Sequence, residues 1–130
     1  MSGTAAKPLR FLAAVLVFVV AAVHYQQYID FISEVHVIGW LFLLNAAGGA
    51  ALTVLLLQRH ETLHRLAALG AIPLCLGSLI SILLAMGGGI FGYQEPDWRI
   101  AVVLAVAAEV IAMAVLAGYL LAARPATRGH

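Results

Sequence analysis

The sequence predicts an all-α integral membrane protein: a four-helix bundle with both termini in the cytoplasm. Three observations carry this expectation. Of 130 residues, 64% are hydrophobic and 10% charged, and the mean hydropathy is +1.03; ordinary globular domains are about 45–50% apolar. The apolar residues fall in four long blocks nearly free of charge: Leu9–Val23, Val37–Leu57, Leu66–Met86 and Ile100–Ala123. A helix needs roughly 20 such residues to cross a hydrocarbon layer about 30 Å thick. The cations are also one-sided. With four crossings, Lys7, Arg10, Arg59, Arg65, Arg124 and Arg128 share one side, and only Arg99 joins Asp30, Glu34, Glu95 and Asp97 on the other. The positive-inside rule puts the basic side in the cytoplasm.

Span one covers about residues 9–29. Pro8 suits its head, where a missing N–H loses nothing. Its far end runs into HYQQYIDFISEVH, polar and aromatic as at a headgroup boundary. Residues 1–22 also read as a cleaved signal peptide, with Lys7 and Arg10 as its basic part and Val20-Ala21-Ala22 as its cleavage site. The even number of spans and the matched basic flanks favour a retained first span. Span two, about 36–57, carries NAAGGAA at mid-depth, and QRHETLHR returns the chain on the inner side. Span three, about 66–86, contains Pro73 and ends at Gly87–Gly89, which should break the helix. IFGYQEPDWR forms the outer turn, with Tyr93 and Trp98 as interface anchors, and span four occupies 100–123. Residues 1–130 read as one membrane domain.

Small residues recur at helix-contact spacing: Asn45, Gly49 and Leu52 in span two; Gly70, Gly77, Ser81 and Gly88 in span three; Ala101, Ala105, Ala108 and Ala112 in span four. Such stripes let helices approach closely in lipid, where packing drives association. The single cysteine, Cys75, lies inside the third block and reads as a small hydrophobe. The scattered basic residues are membrane flanks, so nucleic acid is not an expected partner.

His60-Glu61-Thr62-Leu63-His64 spells H-E-x-x-H, a spacing that on a helix aligns two imidazoles for zinc with a glutamate as general base. A catalytic zinc also needs a third ligand and a sheltered cleft. The inner side offers little: the motif lies in a connection of eight residues, and the other inner imidazole is the terminal His130. The expectation is therefore a bare basic bend, with His60 and His64 adding cationic character near anionic lipid; the alternative is a metal site of His60 and His64 without catalysis.

Glu109 is the costly residue. It lies mid-span, where an acidic side chain is unfavourable by roughly 2.5–3.5 kcal/mol on insertion scales. Ala105 and Ala112 share its helical face, so it should point into the bundle, at the depth of Asn45, Ser78 and Ser81. The predicted site is a hydrogen-bonded polar core of Glu109, Asn45 and one of the two serines. It serves either as glue between helices or as a proton-coupled or cation site. A second group closes spans one and two on the outer side, where His24 and His36 from adjacent helices could ligate haem or copper, with Asp30 or Glu34 adding an oxygen.

The stretches GWLFLLNAAGGAALTVLLL and GIFGYQEPDWRIAVVLAVAAEVIAM resemble short four-span membrane proteins of high-GC bacteria. Those share the LFLLN-type second span, the G-F-x-E-x-W-type outer turn and an acidic residue in the last span. The resemblance implies the four-span fold and brings no activity with it. Size and span count are also similar to the small multidrug-resistance transporters, whose essential glutamate lies in the first span rather than the fourth.

The expectation for function is a non-enzymatic accessory or assembly subunit of the bacterial cytoplasmic membrane, packed in the bilayer against another membrane protein or itself. The alternatives are a small proton-coupled carrier using Glu109 and a haem- or copper-binding protein using His24 and His36; no cofactor is otherwise expected.

Overall fold

The computed structural model describes residues 2–30, 37–89 and 99–123. Among them are four helices: α1 (Ser2–Asp30), α2 (Ile38–Leu56), α3 (Glu61–Gly87) and α4 (Ile100–Ala123). Each is long and apolar enough to cross a membrane. Glu34, His36 and the outer-turn anchors Tyr93 and Trp98 lie outside the described residues.

Two helices begin earlier than their apolar blocks. α1 starts at Ser2, so Pro8 sits inside the helix rather than at its head. There it removes one backbone bond to the preceding turn. α3 starts at Glu61, so the expected bare bend at residues 60–64 is not one: Glu61 to His64 form the first turn of α3. The physical reason is local. His60 takes an extended conformation (φ −73°, ψ 119°) and its carbonyl accepts the His64 amide at 3.2 Å. Glu61 brings negative charge to the helix start, where the dipole favours it.

The α2–α3 connection is closed from α1. Arg10 Nη1 donates to the Leu56 carbonyl at 2.6 Å and to the Gln58 carbonyl at 3.1 Å. A helix C-terminus leaves carbonyls unpaired, and a cation placed there both bonds them and opposes the dipole. At its far end α3 stops where the sequence puts its glycines. The Gly88 and Gly89 amides both reach the Leu84 carbonyl, at 3.1 and 2.8 Å, and Gly89 has φ 103°, a left-handed conformation that glycine permits.

The helices run round the bundle in chain order: α1 packs on α2 and α4, α3 packs on α2 and α4, and the α1–α3 diagonal is slight. The core is built largely of small side chains and gathers Ala13, Ala14 and Val17 of α1, Ala67, Ala68, Ala71 and Cys75 of α3, and Ala108 and Ala112 of α4, with Leu56, Leu116 and Tyr119 as its larger members. The alanine stripe of α4 is thus largely interior. α1 and α2 approach closely at Gly49, where a Cβ would meet Ala21 Cβ at 2.9 Å. The stripe of α3 serves this purpose only at Gly70, where a Cβ would meet Leu52 Cδ2 of α2 at 3.3 Å. Space beside Gly77 and Gly88 is open, and α3 packs elsewhere through its alanines. Large apolar side chains such as Phe18, Leu44, Leu66, Ile80, Leu104 and Leu121 cover the outside.

Candidate polar site in the bundle interior

Each helix contributes one polar side chain to a common centre. α1 supplies His24, α2 Asn45, α3 Ser78 and α4 Glu109. Glu109 is fully buried, and His24 and Asn45 are 4% and 7% exposed. Asn45 Nδ2 donates to Ser78 Oγ at 3.0 Å, and Ser78 Oγ lies 2.9 Å from His24 Nε2. His24 Nδ1 lies 2.8 Å from the Val20 carbonyl. A carbonyl only accepts, so Nδ1 carries the proton and Nε2 of the neutral ring accepts from the serine. The hydrogen bonds therefore run in one direction, from the Asn45 amide through the Ser78 hydroxyl to His24. Phe42 packs against the imidazole, with ring centres 4.9 Å apart.

Glu109 closes the cluster without completing it. His24 Nε2 stands 3.8 Å from Glu109 Oε2, and Ser78 also neighbours the carboxyl. Yet neither carboxyl oxygen has a partner in hydrogen-bond geometry, and nor does Asn45 Oδ1. Among the described residues, three buried acceptor atoms of this cluster are thus left without a partner in hydrogen-bond geometry, with the Ser78 hydroxyl as the nearest donor to the carboxyl. Buried polar groups are nearly always paired, so such a cluster calls for something that donates: a proton, a cation or water.

Two cavities border the cluster, and Glu109 lines neither of them. A cleft of about 350 Å3 runs between α2 and α3, with Leu41, Leu44, Pro73, Leu74 and Gly77 on its walls and His24, Asn45 and Ser78 in its depth. The open side of Gly77 is part of this cleft. A cavity of about 40 Å3 lies on the other side of His24, between α1 and α4, roughly the size of a single water. It is lined by Gln27 and Arg99, and Arg99 Nη1 donates to Gln27 Oε1 at 2.8 Å.

The other residues singled out by sequence fall elsewhere. Ser81 turns back on its own helix and donates to the Gly77 carbonyl at 2.8 Å. His24 belongs to the interior cluster rather than to an outer-surface group, and its expected partner His36 is outside the described residues. His60 and His64 do not present a pair. His60 is exposed at the head of α3, while His64 is buried with its Nδ1 hydrogen-bonded to the Tyr119 hydroxyl of α4. Among the described residues no group of three or more His, Cys, Asp or Glu side chains gathers in a way that could hold a metal ion. Tyr119 and Arg10 are the residues that sequence reasoning missed. Tyr119 reads as one more apolar position of the last span, and Arg10 as one more basic flank.

No protein-family model matches the chain, and neither does any curated protein or any solved structure.

Proposed function

We propose that this chain is a multi-pass protein of the bacterial cytoplasmic membrane, with both termini inside, and that it works as a small proton-coupled carrier centred on Glu109. The carrying observation is that, among the described residues, both oxygens of the fully buried Glu109 carboxyl lack a partner in hydrogen-bond geometry, beside a cluster to which all four helices contribute. An ionisable residue inside a membrane span marks a binding or proton pathway by default. His24, 3.8 Å away, gives the proton a second place to reside. With the proton on Glu109 the ring stays neutral and accepts from Ser78; with the proton on Nε2 the pair becomes an ion pair and the Ser78 bond must reverse. A small cation bearing N–H donors competes with the proton for the same oxygens. The α2–α3 cleft brings it as far as Asn45, Ser78 and His24, beyond which Glu109 lies fully buried. The lateral surface of exposed leucine, valine and phenylalanine supports the lipid environment, because in water it would be an aggregation surface.

Purified protein in weakly buffered detergent tests this with methylammonium as the probe. The expected outcome is about one proton released per chain on methylammonium addition, vanishing in Glu109→Gln. Absence of release from the unaltered protein would refute the carrier.

A second reading, an accessory subunit, is favoured by a different observation. An apolar groove of about 570 Å3 runs along α1 and α2, floored by Ala21, Ala22, Ala46, Ala47 and Ala50. Small residues of this kind admit the helix of a neighbour. In-membrane cross-linking from Ala47→Cys separates this role from the carrier, since it requires a specific cross-linked partner.

A further inference from the structure

We infer that the end of the bundle where α1 and α3 begin holds a binding site for a phosphate group, formed by Lys7, Arg10 and Arg59 over a floor of His64 and Tyr119. A cavity of about 590 Å3 opens there, lined by these five residues, Glu61 and two alanines. It is separate from the interior site and does not depend on it.

Three cations face one carboxylate in this cavity. Among the described residues Lys7 and Arg59 make no hydrogen bond or ion pair, so their donors are uncommitted. Arg10 uses Nη1 on the carbonyls that end α2, which fixes the guanidinium in place and leaves Nε and Nη2 available. Arginine held in this way is suited to phosphate, whose oxygens match its fork of N–H groups.

The floor adds a neutral donor whichever way its proton lies. A neutral imidazole and a phenol share two protons, and the His64–Tyr119 bond uses one. If Tyr119 donates to Nδ1, the His64 Nε2–H remains. If Nδ1–H donates to the phenol oxygen, the Tyr119 O–H remains. No described acceptor takes the remaining proton. Apart from Glu61, then, every polar side chain lining the cavity offers a donor or a positive charge, arranged from α1, the α2–α3 turn, α3 and α4. A carboxylate or halide would use a few of these; a tetrahedral phosphate uses donors from several directions at once. Basic pockets between spanning helices are a known means of holding phospholipid headgroups. Free phosphate presents the same oxygens.

The test uses the full chain purified in dodecyl maltoside, with two probes. Native mass spectrometry measures retention of dioleoylphosphatidylglycerol against dioleoylphosphatidylcholine, and calorimetry measures inorganic phosphate. Retention of phosphatidylglycerol with no heat from phosphate identifies a lipid headgroup as the ligand; heat from phosphate that is lost on adding phosphatidylglycerol identifies a site open to free phosphate. Either supports the assignment. The Lys7→Gln/Arg59→Gln double variant should weaken the bound probe by roughly 30-fold, taking each surface cation at about fivefold. Both side chains are exposed, so the fold should persist. Glu61→Gln should tighten binding, and Glu109→Gln should leave it unchanged, which separates this site from the interior one. Equal retention of the two lipids together with no phosphate heat, or full binding by the double variant, would overturn the proposal.

Discussion

Ser78 is the hinge of the interior cluster, since its hydroxyl both accepts from Asn45 and donates to His24. Ser78→Ala should strand a buried amide and a buried imidazole nitrogen, lowering stability by about 1–3 kcal/mol in reversible detergent unfolding. Glu109→Gln should behave differently. The amide keeps the side chain's shape and adds donors beside unpartnered oxygens, so stability should hold or rise while proton release disappears; retained proton release in this variant would mean that the carboxyl is only glue between helices. The interior position of Glu109 was legible because Ala105 and Ala112 mark a packing face one turn to either side. Asn45 and Ser78 were legible as residues of equal depth. His24 was not. It opens a polar, aromatic run that reads as interface, and a nearly uniform apolar helix gives no sign of which side of α1 faces inward. Nor could H-E-x-x-H reveal its outcome, because His64 is claimed by Tyr119, 55 positions away.

At the scale of elements, two contacts fix how helices meet. Arg10 ties the head of α1 to the tail of α2. Arg10→Met keeps most of the side chain's length and removes the cap, and should destabilise by about 1 kcal/mol in the same unfolding assay. Gly49 against Ala21 sets the α1–α2 crossing. Gly49→Val should push the helices apart at a loss of about 1–3 kcal/mol, and adding Ala21→Gly should restore part of it. No rescue would place the strain elsewhere. Helix existence and approximate extent followed from the apolar blocks, since spanning length constrains them strongly. Helix starts did not, because α1 and α3 extend through polar residues that hydropathy assigns to flanks. The role of small residues was legible only in part: α4 packs through its alanines and Gly70 of α3 meets Leu52 of α2, whereas Gly77 and Ser81 of α3 open onto a cleft.

For the whole molecule, orientation is the exposed prediction. In a Cys75→Ala background, Gln58→Cys and Gly88→Cys mark opposite ends of α3. A membrane-impermeant maleimide on intact cells should modify the Gly88 position and spare the Gln58 position; the reverse pattern would turn the bundle over. The unaltered protein should resist the same reagent when folded, since Cys75 is buried. The bundle also has a built-in order of completion. Its acid is carried by the last of the four described helices, so His24, Asn45 and Ser78 emerge from the ribosome ahead of it. A nascent polypeptide halted after its third hydrophobic segment therefore has the hydroxyl relay but no ionisable carboxyl to answer it. On the proposed carrier reading, a chain halted there is inert rather than leaky.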